Sequence, residues 1–365
     1  MAQSFANARE VEAEHRRLGF DKPFCAMPFS TLLLEPDGQV GACRIKGCEF
    51  PVGNIKEQSL EEIWNSPKLR QWRKEFLDGK PSTCQKEVRE RACHLCTKYN
   101  EILPDMQLEE IQTQGPIRLG LNLNGKCNLE CQMCHIWQKP NGLYDEIGFW
   151  PQLEKIIPGL KEVELLSGEP FIQKDTYKLI DKISALNPTC GWTITTNAHW
   201  KLTDKIKSSL DKIRVRSLIV SIDSVVPETY SKIRKKGDLR VVMETIERLR
   251  EYDADRVQRG LSSMNMRINF LIQRDNWKEL ELIHNFERET GFGAFRTFLV
   301  EPPEHSILTL EESEREGILD FYLKTMTPKD LKNSMRVLVP ILDSLPPLTK
   351  GDLWLQLREK TQTVA

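Results

Sequence analysis

From residue 117 onward the sequence alternates between two patterns, and this constrains the fold more than any other feature. Short β-rich runs stand at 117–124, 163–166, 192–196, 217–222, 266–272 and 296–300. Segments with helical period lie between most of them, among them 153–157, 176–185 and 241–251. Strands separated by helices predict parallel βαβ units with right-handed crossovers. The expected architecture is therefore an α/β sheet or an open barrel, in which ligands meet the chain just after the carboxyl end of each strand. At 365 residues, with 39% hydrophobic and 29% charged residues, the chain is long enough for such a domain and a second, smaller one.

The ten cysteines are unevenly placed. Cys25, Cys43, Cys48, Cys84, Cys93 and Cys96 fall in the first hundred residues, Cys127, Cys131 and Cys134 occupy eight positions, and Cys190 stands alone. This density is below that of a disulfide scaffold. The first twenty residues hold no apolar run of the secretory kind, and no stretch approaches the roughly 18 consecutive apolar residues of a membrane helix. These features predict a reducing cytoplasm and no membrane partner. Clustered thiols there more often hold metal or do chemistry than form disulfides. A net charge of -1 carries no strong signal for nucleic acid.

The first barrel-type strand is followed by the turn Asn124-Gly125-Lys126 and then by Cys127-x3-Cys131-x2-Cys134. On a helix these positions share one face and would be an apolar stripe. Three thiolates converging from one short loop suit a polynuclear iron-sulfur cluster, because such a cluster needs several soft anionic ligands. Three ligands leave one iron of a four-iron cluster open, where a fourth cysteine would close it. Two other readings fit the same residues. Cys131-x2-Cys134-His135 matches the attachment site of c-type haem, which belongs with exported proteins, and zinc with His135 or Cys190 as fourth ligand is the other.

The loop resembles the defining element of the radical S-adenosylmethionine enzymes, a C-x3-C-x2-C segment after the first strand of a partial (β/α)6 barrel. The likeness continues strand by strand over about half of the chain. Ser167-Gly168-Glu169-Pro170 is similar to the family's Gly-Gly-Glu-Pro turn, which implies that Gly168 and Glu169 meet the methionine amino group. Thr195-Thr196-Asn197-Ala198 resembles its Thr-Thr-Asn-Gly, which places Thr196 and Asn197 among the cofactor-binding residues. Ser221 and Asp223 stand where the family holds the ribose, and Arg234 where it meets the methionine carboxylate. Ser167 in place of a glycine and Met133 in place of an aromatic are the departures.

In the amino-terminal region, β-rich runs at 30–34 and 39–42 flank Pro36-Asp37-Gly38, which predicts a hairpin. Ser59 and Glu62 predict a capping box. Cys25 and Cys43 together with Cys93-x2-Cys96 would make either a zinc ribbon or an iron-sulfur site by spacing alone. The pattern resembles the SPASM and twitch auxiliary domains of the same superfamily, which implies that Cys25, Cys43, Cys93 and Cys96 hold an auxiliary [4Fe-4S] cluster. Cys48, Cys84 and Cys190 are left unassigned, with Cys84 the better reserve ligand. The auxiliary domain precedes the barrel here, as in N-terminal twitch enzymes.

The expected organisation is an extension at 1–20, a small cysteine-rich α+β twitch/SPASM-like domain at 21–100, a linker helix at 101–115, the barrel at 116–305 and a helical extension at 306–365. Thr309 and Glu312 are expected to cap the first helix of that extension. The resemblance implies a [4Fe-4S] cluster that binds S-adenosylmethionine, reductive cleavage to a 5′-deoxyadenosyl radical, and hydrogen abstraction from a substrate. An oxidoreductase acting on a ribosomally made peptide is the leading expectation. A small metabolite such as an amino sugar or nucleotide sugar is the alternative substrate, and a zinc-stabilised interaction protein the alternative class. Flavodoxin or ferredoxin is the expected electron donor.

Overall fold

The computed structural model describes residues 24–44, 46, 50–84, 106–298 and 301–362. The fold divides into two units. The first comprises Met1–Lys126, Gln138–Ile194 and Lys205–Arg216, and the second Cys127–Trp137, Thr195–Asp204 and Ser217–Ala365.

In the first unit, β1 (Thr31–Leu34), β2 (Gln39–Gly41) and β3 (Gly53–Asn54) form an antiparallel meander. The predicted turn is present, with Gly38 at φ +90° and its N–H donating to Glu35 O at 2.9 Å. The helices α1 (Leu60–Trp64) and α2 (Pro67–Leu77) follow, and Ser59 and Glu62 close the predicted capping box on α1. The guanidinium of Arg73 on α2 is fully buried, and it donates to Pro28 O at 2.8 Å and Trp64 O at 2.6 Å. These carbonyls compensate a burial that pushes the Arg73 pKa down to about 9.

The α/β part of this unit runs through β4 (Arg118–Leu121), α3 (Phe149–Ile156), β5 (Glu162–Leu165), α4 (Lys174–Leu186), β6 (Gly191–Thr196) and α5 (Asp204–Asp211). Strands β4, β5 and β6 are parallel, as the alternation predicted. One pairing was not legible in the pattern. β1 lies parallel to β4, with Thr31 opposite Arg118 and Leu34 opposite Leu121. The cysteine-rich hairpin thus continues the sheet of β4 and does not form a sheet of its own. All four β1 residues are buried, as a strand covered on both faces requires.

The second unit takes up the chain within β6 and again within β7 (Arg214–Ser221). It continues through α6 (Pro227–Ile233), α7 (Leu239–Gln258), β8 (Met266–Ile272), α8 (Leu280–Thr290) and β9 (Gly293–Phe298). β7, β8 and β9 are parallel. Among the described residues four helices follow: α9 (Glu312–Thr325), α10 (Pro328–Asn333), α11 (Met335–Asp343) and α12 (Pro347–Gln362). They share one core with the strands, in which Val220, Ile268 and Phe270 join Leu319, Tyr322, Leu338 and Ile341. Each such side chain contributes about 1.5–3 kcal/mol when fully buried.

The start of α9 corrects the expectation about its cap. Glu311 is the capping residue and pairs with Glu314, while Thr309 ends the preceding turn and donates to Ser306 O at 2.9 Å. Carboxylates in this first turn are favoured by the positive end of the helix. No described helix is long and apolar enough to cross a membrane.

Candidate cluster and cofactor site

In the second unit, Cys127, Cys131 and Cys134 form no disulfide and are of intermediate exposure. Backbone hydrogen bonds hold their loop open in place of a helix. Glu130 N donates to Lys235 O at 3.1 Å and Gln132 N to Ile233 O at 2.9 Å, so Cys131 is gripped on both sides by the segment that ends α6. Lys236 pairs with Glu130 across the same contact. Gln132 Nε2 reaches Gln273 Oε1 at 2.9 Å and Asp275 Oδ2 at 2.8 Å, after the end of β8.

Arg234 is buried beside this loop. Its Nη2 lies 2.7 Å from Asp223 Oδ2 and its Nη1 donates to Cys131 Sγ at 3.9 Å. Asp223 Oδ1 accepts from Leu271 N at 3.0 Å, while Oδ2, in ion-pair range of Arg234, is buried without a hydrogen-bond partner. Burial opposes the Arg234 charge, but Asp223, Cys131 and Tyr230 outweigh it and the guanidinium pKa is raised. Its Nε is buried with no hydrogen-bond partner, a donor available to an anionic ligand. Burial also pushes the Cys131 thiol up to about 11, against the pull of Arg234 and with the help of Asp223, Cys134 and Cys127. A cationic metal reverses that balance by displacing the proton.

Asn197, at the end of β6, donates through Nδ2 to Cys127 Sγ at 3.7 Å and to Asn128 Oδ1 at 2.9 Å. Asn128 Nδ2 donates to His199 O at 2.6 Å, and His199 N to Asn197 Oδ1 at 2.8 Å. Thr196 is turned to support this corner, since its Oγ1 accepts from Ala198 N at 3.0 Å and from Trp200 Nε1 at 2.9 Å. Ser221 ends β7, half-buried, opposite Asn269. The sequence reading did not single out Asn128, His199 or Gln132. Only the position of Asn128 next to a cysteine could have drawn attention to it.

The Gly168 turn belongs to the first unit. Gly168 has φ +56°, and a Cβ there would stand 2.3 Å from Lys126 O. Glu169 N donates to that same carbonyl at 3.0 Å. Gln173 Nε2 gathers Asn124 O, Lys126 O and Ser167 O within 3.2 Å, and Ser167 Oγ donates to Asn124 O at 2.9 Å. Ser167 is thus accommodated where the family has glycine. Glu169 is fully buried and its Oε1 accepts from Phe171 N at 3.2 Å, which caps the short turn Pro170–Ile172.

Of the amino-terminal cysteines, Cys25 is half-exposed and Cys43 buried, while Cys48, Cys93 and Cys96 lie outside the described residues. Cys84 accepts from Trp72 Nε1 at 3.1 Å. Cys190 is buried, and burial pushes its thiol up to about 12. Among the described residues, no three His, Cys, Asp or Glu side chains are gathered tightly enough for a single metal ion. A polynuclear cluster does not ask for that, because each thiolate meets a different iron. Three thiols on one pinned loop beside a buried guanidinium are a donor set that fits such a cluster and an anionic ligand.

Residues 121–286 match the model of the Radical SAM superfamily, and residues 25–97 that of SPASM, an iron-sulfur cluster-binding domain. The two domains bring a [4Fe-4S] cluster that binds S-adenosylmethionine, an auxiliary iron-sulfur cluster, and S-adenosylmethionine itself. Among curated proteins, a probable GTP 3′,8-cyclase of Methanocaldococcus jannaschii is 29% identical over 178 residues, 47% of this chain and 55% of its own. A GTP 3′,8-cyclase of Clostridium botulinum is 28% identical over 139 residues, 36% of this chain and 42% of its own. The chain thus spans about half the length of the curated relatives it matches. Among solved structures, anSMEcpe with bound AdoMet and a peptide is 16% identical, with a TM-score of 0.42, over 60% of this chain and 62% of its own. SuiB of Streptococcus suis bound to S-adenosylmethionine is 14% identical, with a TM-score of 0.42, over 73% and 62%.

Proposed function

The matched segments make this chain a radical SAM protein with an auxiliary iron-sulfur cluster-binding domain, and from that premise we propose that it cleaves S-adenosylmethionine reductively and takes a hydrogen atom from a substrate carbon. The observation that carries this reading is the loop of three cysteines outside any disulfide, with Arg234 held against Cys131 by Asp223. In this reading Cys127, Cys131 and Cys134 hold the open cluster, and Cys25, Cys43, Cys93 and Cys96 the auxiliary one. When bound, the clusters and cofactor supply an electron, a 5′-deoxyadenosyl radical and an acceptor for net oxidation, none of which side chains provide.

The chain's own contribution is placement and exclusion of water. Arg234 presents its unpartnered Nε to the methionine carboxylate, and Asp223 fixes the guanidinium plane. Glu169 and the carbonyls around Gly168 meet the methionine ammonium. Ser221 meets the ribose. Asn197 and Thr196 fix the corner at Cys127, and Asn197 donates to the sulfur, an interaction that tunes iron-sulfur centres.

The substrate in this proposal is a ribosomally made peptide, supported by the SPASM match, and flavodoxin or ferredoxin is the electron source. A second reading, a nucleotide or other small metabolite, is supported by the GTP 3′,8-cyclase relatives. The test is anaerobic reconstitution with iron and sulfide, followed by mass spectrometry for 5′-deoxyadenosine under a strong reductant. If none forms, or if Cys127→Ala forms as much, the reaction class is wrong. Incubation with short peptides encoded beside the gene, and separately with GTP and nucleotide sugars, then decides the substrate. Loss of two hydrogens from a peptide supports the first reading and a changed nucleotide the second.

A further inference from the structure

The first unit holds a cleft of about 100 Å³ over the β1–β2 hairpin. Leu33, Val40 and Pro51 make its apolar walls, Glu35, Gln39 and Arg44 its polar ones, and Cys43 borders it. The charges in it are unevenly satisfied. Arg44 pairs with Glu164 at 3.2 Å, and Glu164 also takes Arg118 at 3.0 Å. Arg118 in turn lies 3.4 Å from Glu162. Both guanidinium groups are thus claimed by carboxylates. Glu35, in contrast, has no ion pair with a basic side chain among the described residues. Its carboxylate accepts only an amide hydrogen, from Asn122 Nδ2 at 3.0 Å.

That contact fixes which way the Asn122 amide points. It leaves Asn122 Oδ1 buried with no partner, and Gln39 Oε1 is in the same condition. Leaving a buried acceptor unpaired costs about 1–3 kcal/mol. The region therefore holds one carboxylate without an ion pair among the described residues and two unpartnered acceptors. Burial raises the Glu35 pKa, and Asn122, Arg44 and Lys139 offset this only in part, against Asp37. The carboxylate asks for a cation and the two amide oxygens ask for hydrogen-bond donors, which an ammonium combines.

We propose that this cleft binds a primary ammonium on an apolar stem, with Glu35 as its counter-ion and the Gln39 amide oxygen as a second acceptor. An ammonium offers three donors and no acceptor, which matches the deficit. A short methylene stem fits Leu33, Val40 and Pro51, and a lysine side chain has this shape. The inference goes beyond the proposed reaction, because it concerns recognition and stands whichever substrate is modified.

The experiment is anaerobic calorimetric titration of the reconstituted full chain at pH 7.5 with Nα-acetyl-lysine methylamide and its uncharged counterpart Nα-acetyl-norleucine methylamide. The expected result is saturable binding of the lysine probe at least tenfold tighter than the norleucine probe, with that preference lost in Glu35→Gln. Absence of saturable binding, equal binding of the two probes, or an undiminished preference in Glu35→Gln overturns the proposal. Should Glu35→Gln fail to fold, as judged by iron content and circular dichroism, Gln39→Leu replaces it. Weakening of the lysine probe by several-fold is then expected, and unchanged affinity is the overturning result.

Discussion

Arg234 meets Asp223 at 2.7 Å in surroundings that leave the two side chains 7% and 1% exposed, and through its other terminal nitrogen it touches the Cys131 sulfur at 3.9 Å. Removing one partner strands a buried charge, which costs far more than removing both. Asp223→Ala is expected to destabilise the protein by about 3–5 kcal/mol. The double variant Asp223→Leu/Arg234→Met is expected to recover much of that loss. Anaerobic urea denaturation measures both, and equal loss in the two variants would show that a stranded Arg234 charge is not what destabilises Asp223→Ala.

The two sets of cysteines make separable predictions about metal content. Two four-iron clusters correspond to roughly eight irons per chain. Cys127→Ala, Cys131→Ala and Cys134→Ala are each expected to lower this to about four, with loss of S-adenosylmethionine cleavage. Cys43→Ala is expected to remove the other four while some cleavage persists, and Cys190→Ser to change neither. Iron and sulfide assays read the outcome directly.

Among the described glycines, Gly168 combines a positive φ with a backbone atom where a Cβ would stand. Its φ of +56° is unfavourable for a side chain, and a Cβ would press on Lys126 O at 2.3 Å. Gly168→Ala is expected to destabilise the first unit by about 1–3 kcal/mol. It should also weaken S-adenosylmethionine binding, because the carbonyls gathered around the turn must shift. Equilibrium dialysis with the labelled cofactor and a denaturation curve check the two effects separately.

His284 predicts a pH dependence of stability. Its Nε2 lies 2.8 Å from Ser334 Oγ and its Nδ1 accepts from Arg296 Nη2 at 3.1 Å, an arrangement that suits the neutral ring. Burial and then Arg296 push its pKa down to about 4, against Asp330 and Glu281, with Arg288 adding to the depression. Glu287, which pairs with Arg296, also faces the ring, with its Oε2 3.3 Å from Nδ1. Between pH 6.5 and 4 the unfolded chain therefore binds more protons at this site than the folded one. Stability is fully present above about pH 6.5 and falls as pH drops toward 4, by up to about 3 kcal/mol. His284→Gln should flatten this part of the profile, and urea midpoints across that range are the measurement.

Local features were readable without coordinates. Strand-length apolar runs, turn residues and the capping pair Ser59–Glu62 are set by interactions within a few residues, so the α/β alternation and the β1–β2 hairpin follow from the chain itself. The three-cysteine loop was equally legible, because ligands on one short segment need no distant partner to be recognised. Even locally the outcome can shift: the helix starts at Glu312, so Glu311 and not Thr309 stands at its cap.

What the chain pattern did not contain was who meets whom across the fold. The parallel pairing of β1 with β4 follows from burial of both faces of β1, not from any spacing between residues 34 and 118. Asp223 reads by position as a ribose ligand, and only the tertiary structure adds its ion pair with Arg234 and its hydrogen bond from Leu271 N. Asn128 and His199 gain their roles only when the end of β6 is brought beside Cys127. The sequence by itself determined the element types, the thiol loop and the class of cofactor it suits. The tertiary structure decided which charges are paired and which polar atoms are left wanting, since desolvation and hydrogen bonding depend on neighbours that only strand register and packing bring together.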